Sequence, residues 1–298
     1  MSAGYYGSYD VVVAGGGPAG IVAALAAARE GKRTVLIEKA GFVGGMMMLP
    51  LAVLGFLDEH GNQVVEGIPG WVFSELQREG FASAHYPSPR HKSYTIIDPE
   101  PTKRVLLDML DSSGVTVLLH TTVVGTVGGE GRLEGVVVHS KSGIDIITGQ
   151  TFIDATGDGD LVASGGFGFS ISPELQPATL IFRLGNVDFN TFQEWLVAHP
   201  EMYADTQFKP EHFTRRHFNL SGLKPLVDEA KKDGLELPIS RVVCCTSMRD
   251  DEIVVNMTRE THVNGVNRDD LTRAEISTRR QIPLLEQFFR KYVPGFAD

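Results

Sequence analysis

The sequence predicts an α/β fold that combines a parallel sheet with an antiparallel β-meander, followed by a second, α+β domain. Three observations predict it. A β-branched run at residues 10–14 leads through a glycine-rich turn into an alanine-rich helix and a second apolar strand. Four short strand patterns follow between residues 115 and 147, the later ones separated by glycine-rich turns. After about residue 172 the pattern changes to alternating helix, loop and strand.

Each element is bounded by residues that favour turns or helix ends. Gly31 follows the first helix, and Gly114 follows a helix that begins near Pro101. In the last helix, aspartates near the start and basic residues near the end match the helix dipole. We expect helices at residues 21–30, 71–79, 101–112 and 268–292, and strands at 10–14, 34–38, 115–119, 121–127, 133–139, 144–147, 151–154, 239–246 and 252–259.

The composition is that of a globular protein, with 42% hydrophobic and 21% charged residues among 298. The net charge of −10 argues against nucleic acid as a partner, because phosphate binding needs a basic face. The only two cysteines, Cys244 and Cys245, are adjacent and cannot link distant segments, which fits a reducing compartment. We therefore expect a cytoplasmic protein.

No targeting or membrane segment is expected. The first ten residues carry no basic region, and only a short apolar run follows them. Residues 40–57 are uncharged, and their length of 18 residues is at the lower limit for a membrane span. This stretch contains four glycines and Pro50, which disfavour a continuous helix. We interpret it as a buried loop with a short helix around a ligand.

The glycine-rich turn has the spacing of a dinucleotide-binding loop, Gly15-x-Gly17-x-x-Gly20. In such a loop the first glycine permits the turn, the second leaves room for a pyrophosphate, and the third lets the helix approach the strand. The helix N-terminus then offers N–H groups to the phosphates. Glu38 ends the second strand, where a carboxylate accepts hydrogen bonds from ribose hydroxyls and disfavours a 2′-phosphate. The sequence therefore predicts a Rossmann-like dinucleotide-binding domain.

Several further motifs resemble those of FAD-dependent oxidoreductases with the glutathione-reductase-like FAD-binding fold. These are Gly-Gly-Gly-Pro-Ala-Gly at 15–20, Ile-Glu-Lys at 37–39, the pair Gly44–Gly45, and Ile-Asp-Ala-Thr-Gly-Asp-Gly-Asp at 153–160. The stretches FIDATGDGDLVASGG, QPATLIFRLGNVD, VVNMTRETHVNG and FFRKYVPGF are similar to the broad FAD-dependent oxidoreductase family. The resemblance covers essentially the whole chain.

The resemblance implies FAD as the cofactor and a set of residues that face it. It makes the backbone of Val124 the contact to adenine. The three methionines at 46–48 depart from relatives, which often carry a small or hydroxyl residue beside the flavin; they could pack the ring or simply fill the core. The residues expected to face FAD are Gly15, Gly17, Pro18, Ala19, Gly20, Glu38, Lys39, Gly44, Gly45, Met46, Val124, Ala155, Thr156 and Gly157.

The resemblance also implies the activity. We expect an FAD-dependent oxidoreductase that transfers hydride or electrons between a small organic substrate and the flavin. A flavin-dependent monooxygenase is the alternative within enzymes, and a truncated, non-catalytic nucleotide-binding module is the alternative outside them. Family members continue past the last helix with a segment that closes over the flavin, and this chain ends at 298. We expect a truncated form or a site completed by another subunit, which leaves a homo-oligomer open.

Other chemistry-bearing residues are weaker candidates. Cys244 and Cys245 could form a redox pair. The favoured interpretation is that both are strand residues, one with a buried side chain and one with a side chain that faces out. Arg259 and His262 could bind an anionic substrate or move a proton, or could be a solvated strand end. A loop with His85, Arg90 and His91 could cover the flavin. The histidine spacings do not indicate a metal site, and the sequence does not identify the substrate, electron partner or catalytic base.

Two domains are expected. Residues 1–172 would form the FAD-binding domain, with 47–94 at the domain interface, and residues 173–298 would form a substrate or cap domain.

Overall fold

The computed structural model describes residues 3–129 and 131–296. The described chain divides into two compact units. The first unit holds the chain up to Leu49, together with Gly67–Glu75 and Pro99–Ser172. The second unit holds Pro50–Glu66, Leu76–Asp98 and the chain from Pro173 onward. The outer ends of the predicted domains, residues 1–2 and 297–298, lie outside the described residues. The functional division into an FAD-binding and a substrate domain stays a prediction.

Both units contain strands and α-helices. The strands are β1 (Gly4–Ala14), β2 (Thr34–Ile37), β3 (Val53–Leu54), β4 (Tyr86–Ser88), β5 (Lys92–Thr95), β6 (Thr116–Leu118), β7 (Thr122–Gly129), β8 (Arg132–Ser140), β9 (Gly143–Asp154), β10 (Phe182–Leu184), β11 (Asn219–Gly222), β12 (Val242–Thr246) and β13 (Ile253–Val255). The helices are α1 (Pro18–Arg29), α2 (Gly67–Arg78), α3 (Pro99–Ser112), α4 (Asp160–Ser164), α5 (Phe189–Ala198), α6 (Lys224–Lys232) and α7 (Arg268–Tyr292).

The first unit contains a six-stranded sheet in the order β6-β2-β1-β9-β8-β7. β6, β2, β1 and β9 run parallel, and β9, β8 and β7 form an antiparallel meander. Val12 and Val35 are opposite one another in the register, and both are fully buried. Their strands are almost continuously apolar because both faces of a parallel sheet are covered. The predicted α/β class, with a parallel sheet and a meander, is confirmed.

Two strands are clearly longer than the sequence predicts. β1 begins at Gly4 instead of residue 10. Residues 144–147 and 151–154 were expected as separate strands. Both segments belong to β9, and Gly149 pairs with Tyr9 of β1. A Cβ atom at Gly149 would lie 2.7 Å from Cγ2 of Val12. This glycine therefore permits close packing within a strand rather than a turn.

The second unit contains two antiparallel sheets, ordered β10-β13-β12-β11 and β3-β5-β4. Its main core is aromatic, and Phe192, Phe213 and Phe288 are fully buried within it. The predicted helix 268–292 is confirmed as α7, and the side chain of Asn267 caps it by accepting hydrogen bonds from the N–H groups of Asp269 and Asp270. Among the described residues, no helix combines the length and apolarity that crossing a membrane requires.

Candidate functional site

The glycine-rich loop between β1 and α1 is packed so tightly that two of its positions exclude a side chain. Gly15 has a φ of +100°, and a Cβ there would lie 2.2 Å from the carbonyl oxygen of Ala155. A Cβ at Gly20 would lie 1.9 Å from the carbonyl oxygen of Gly15. Both distances are far below van der Waals contact. Gly15 and Gly20 are therefore required by the protein's own packing.

Gly17 differs from its two neighbours in the motif. Apart from its own chain neighbours, none of the described residues has a heavy atom within 4 Å of the position that its Cβ would occupy. Its φ of −72° is open to any residue. The protein thus provides neither a steric nor a backbone reason for glycine here, and the open space is what a ligand at this position would need.

The N-terminus of α1 opens beside this space. Gly17 is the N-cap, Pro18 follows it, and no side chain among the described residues caps this end of the helix. Pro18 and Ala19 are exposed. Uncapped N–H groups and the positive end of the helix dipole favour an anion such as a pyrophosphate. The residues of this loop therefore fit the phosphates of a dinucleotide.

Glu38 lies against the same loop from the end of β2. Its side chain is buried, and its carboxylate accepts hydrogen bonds from the N–H groups of Gly16 at 2.7 Å and Ala40 at 2.8 Å. Each carboxylate oxygen retains a lone pair, because a carboxylate accepts about four hydrogen bonds. Glu38 can therefore fix the loop and still accept from ribose hydroxyls.

A small cleft of about 50 Å³ adjoins Glu38 and the exposed Lys39. Thr121, Thr122 and Asp160 also line it, and sequence reasoning did not select them. Thr121 and Thr122 follow β6, which pairs in parallel with β2. Because ligands bind at the carboxyl ends of parallel strands, the residues after each predicted strand were the signal that could have found them.

The second glycine pair packs directly onto the first loop. The N–H of Gly44 donates to the carbonyl oxygen of Gly16 at 2.7 Å. A Cβ at Gly45 would lie 2.9 Å from Cα of Gly17. The methionines that follow separate into two roles: Met48 is buried, whereas Met46 is 76% exposed. Core filling thus explains Met48, whereas the side chain of Met46 is exposed and its contact with the flavin stays a prediction.

The segment Ala155, Thr156 and Gly157 follows β9, beside the first loop. The N–H of Ala155 donates to the carbonyl oxygen of Ala14 at 2.8 Å. Thr156 donates to Asp154 Oδ1 from its N–H at 3.0 Å and its hydroxyl at 2.7 Å. Burial acts to raise the pKa of Asp154, but the hydrogen bonds from Thr156 and Val162 outweigh it and lower the pKa. Asp154 therefore holds this turn as a carboxylate, with Gly157 exposed.

Val124 lies at a β-bulge. Val123 pairs with Val138 and Gly125 pairs with Val137, so Val124 has no partner across the ladder. Its side chain is 56% exposed. A bulged residue keeps its backbone groups available to a ligand, as the predicted adenine contact requires.

Arg259 and His262, the two weak catalytic candidates, occupy different environments. Both are exposed and lie beyond β13. The backbone of Arg259 is held by Gln281, which accepts from its N–H and donates to its carbonyl oxygen, both at 2.8 Å. Arg259 lines a large cavity of the second unit, and His262 is not among the lining residues. The structure therefore does not bring the pair together around one cavity.

The prediction for the cysteines is wrong in one respect. One side chain was expected to face outward, but Cys244 and Cys245 are 2% and 1% exposed. The sheet is covered on both faces: Cys244 joins the aromatic core, and Cys245 packs with Tyr94 and Ile96. Burial raises the pKa of the Cys245 thiol to about 12 and also raises that of Cys244. Buried thiols of raised pKa are inert, which favours the interpretation as strand residues.

Comparison with known proteins gives a consistent family match. The profile of the family described as FAD dependent oxidoreductase matches residues 10–298. The dihydrolipoyl dehydrogenase of Trypanosoma brucei brucei is 55% identical over 40 residues, which are 13% of this chain and 8% of that protein. That match is confined to a small part of either chain.

Two solved structures share the fold at low identity. A geranylgeranyl bacteriochlorophyll reductase-like protein from Thermoplasma acidophilum superposes with a TM-score of 0.55 at 16% identity, covering 94% of this chain and 63% of that one. The myxobacterial chondrochloren halogenase, an FAD-dependent halogenase, gives a TM-score of 0.56 at 16% identity, covering 97% and 61%. This chain thus spans less than two thirds of each of these two proteins, and these similarities show the fold alone.

Proposed function

This chain belongs to the FAD dependent oxidoreductase family, and we propose that it transfers hydride or electrons between a small organic substrate and the flavin. The match confirms the family that the sequence motifs resemble, and FAD is the cofactor. The observation that supports a binding role for the first unit is the open space at Gly17, beside a helix N-terminus that no described side chain caps.

In this proposal each part of the first unit has a defined task. The N–H groups at the start of α1 hold the pyrophosphate, and Gly17 leaves the space for it. Glu38 accepts from the adenosine ribose, and the backbone of Val124 contacts adenine. A larger set completes the site along the rest of the cofactor: Gly15, Pro18, Ala19, Gly20, Lys39, Gly44, Gly45, Met46, Ala155, Thr156 and Gly157.

The protein's contribution is binding, orientation and exclusion of water. When bound, FAD supplies the hydride and electron chemistry itself. The loop is held by backbone hydrogen bonds, among them those from Gly15 to Ile37 and from Gly44 to Gly16, at 2.8 and 2.7 Å. Such rigidity fixes a ligand's orientation at little entropic cost on binding.

A cytoplasmic location belongs to the same proposal. Both cysteines are free thiols, which is the usual state in a reducing compartment.

A flavin assay tests the cofactor and the enzyme class together. We expect the purified protein to be yellow and to release, on heating, a flavin that chromatographs as FAD. Colourless protein that fails to take up added FAD would contradict both.

A reoxidation screen then tests the reaction. The bound flavin is reduced photochemically, and candidate small molecules are compared for their ability to reoxidise it without oxygen. An oxidoreductase of the proposed kind is reoxidised by an organic acceptor. Oxygen use that depends on NAD(P)H and yields a hydroxylated product would instead assign a monooxygenase.

A further inference from the structure

The second unit contains an open cavity of about 970 Å³, and all of its described lining residues belong to that unit. Strands β11 and β12 form one wall, and the turn after β4, with Arg90 and His91, forms another. Cavities of this size hold ligands of about the size of a drug molecule. None of the cofactor contacts proposed above lies here.

The charged side chains that line this cavity are cationic. Four cationic side chains line it: Arg90, Lys231, Arg241 and Arg259. None of the described residues that line it is an aspartate or a glutamate, although acidic residues outnumber Lys and Arg by 37 to 27 in the chain. Arg241 is paired with Asp205 at 3.2 Å, so its charge is partly balanced. The remaining cations favour an anionic ligand.

One of the cationic groups is held in place by the protein. Arg90 donates from Nη1 to the hydroxyl of Ser221 at 2.7 Å. For Arg259 it is the backbone that is held, on both sides, by Gln281. The Arg90 guanidinium is already positioned, so it loses less entropy when it binds a carboxylate.

Asn219 adds a hydrogen-bonding requirement. Its side-chain oxygen Oδ1 is buried and accepts no hydrogen bond from the described residues, whereas its Nδ2 donates to the hydroxyl of Ser88 at 3.4 Å. A buried acceptor without a partner costs about 1–3 kcal/mol. Asn219 lines the cavity, and a rotation of its amide would turn this oxygen toward a ligand donor. A hydroxyl suits this position better than an ammonium group, which the surrounding cations would repel.

The other walls are apolar, with Leu51, Pro177, Phe208 and Ile239 among the lining residues. We propose that this cavity binds a hydroxy acid, with its carboxylate at Arg90 and Arg259, its hydroxyl at Asn219 and an apolar body against these walls. The binding stands on the cavity alone, whereas identifying the ligand as the substrate rests on the proposed function.

Calorimetric titration of the FAD-loaded full chain tests the proposal. The probes are 3-phenyllactate and 2-hydroxyoctanoate, each compared with its methyl ester and with the acid that lacks the hydroxyl. We expect at least one hydroxy acid to bind. Its ester should bind at least about tenfold more weakly, and the acid without the hydroxyl should bind about fivefold more weakly. Absence of binding by both hydroxy acids, or equal binding by an ester, would overturn the proposal.

Charge-neutral variants locate the ligand. Arg90→Gln and Arg259→Gln should each weaken the hydroxy acid about tenfold, and Asn219→Leu should remove the preference for the hydroxyl. Arg279→Gln, an exposed residue of α7 outside the cavity, is the matched control and should bind as the original chain does. Equal affinity in all four variants would contradict the site.

The flavin absorbance of the same samples separates the two proposals. Hydroxy-acid binding to protein that fails to take up added FAD would support the cavity and refute the proposed function. FAD-loaded protein that binds neither hydroxy acid would refute the proposed cavity ligand and leave the proposed function standing.

Discussion

The candidate sites of the two units are built in different ways. In the first unit the site is made of backbone, since Gly15 and Gly20 exclude side chains and the helix N-terminus supplies the N–H groups. In the second unit the cavity is made of side chains from separate segments, such as Arg90, Asn219 and Arg259. A backbone site depends on a few adjacent residues, whereas a side-chain site depends on the whole fold around it. The two should therefore fail in different ways when they are mutated.

The largest effect is expected for Gly20→Val. The added Cβ would meet the carbonyl oxygen of Gly15 at 1.9 Å, so the helix must move off the strand. We expect a loss of about 3 kcal/mol or more in the free energy of unfolding, measured by urea denaturation of protein without FAD. Gly168→Val, at an exposed glycine with no atom within 4 Å of its Cβ position, is the control and should cost little. Equal stability of the two variants would refute the packing at Gly20.

Gly17→Val should separate binding from folding. Its Cβ meets no protein atom within 4 Å, so the free energy of unfolding without FAD should change by less than about 1 kcal/mol. The branched side chain occupies the space proposed for the pyrophosphate, and FAD affinity should fall on the order of a hundredfold, because hydrogen bonds to charged groups contribute about 1.5–3 kcal/mol. Fluorescence titration of apo-protein measures this, again beside Gly168→Val. Unchanged affinity would place the pyrophosphate elsewhere.

Glu38→Gln should have an intermediate effect. An amide in place of the carboxylate turns one acceptor of the loop N–H groups into a donor, and it weakens acceptance from ribose. We expect FAD to bind about tenfold more weakly. Titration with FMN, which lacks the adenosine ribose, is the control. An equal loss for FAD and FMN would show that Glu38 acts on the loop and not on the ribose.

The smallest effect concerns pH and the second unit. Burial lowers the pKa of His217, and it also lowers those of His85 and His91 in the same unit. A histidine whose pKa is lower in the folded state contributes stability that is present above its unfolded pKa of about 6.5 and is lost as pH falls below it. We expect the free energy of unfolding to decrease from pH 7 to pH 5, with a shallower decrease in His217→Gln. Parallel pH profiles would contradict a buried neutral His217.

The candidate backbone site of the first unit is visible in the sequence because its residues are close together along the chain. Its spacing is local, and Gly15, Gly17, Gly20 and Glu38 lie within 24 residues of one another along the chain. Gly149 lies between two predicted strands, and the sequence alone does not distinguish a glycine that permits close packing within a strand from one in a turn. Thr121 and Thr122 come shortly after a predicted strand but were not selected, and the pairing of β6 with β2 places them beside Glu38.

The second unit was less predictable because its burial depends on contacts between distant segments. One of the two cysteines was expected to face outward, but Cys245 is buried because Tyr94 and Ile96, from a distant segment, cover the second face. Arg259 was weighed with His262, its neighbour in sequence, yet it shares the cavity with Arg90, which is 169 residues away. No spacing rule links such positions.

A crystal structure of the protein with bound FAD tests the central claim most directly. We predict the pyrophosphate beside Gly17 at the N-terminus of α1 and the adenosine ribose within hydrogen-bonding distance of the Glu38 carboxylate. FAD bound elsewhere, with the space at Gly17 filled by solvent, would contradict the assignment of the glycine loop as the cofactor site.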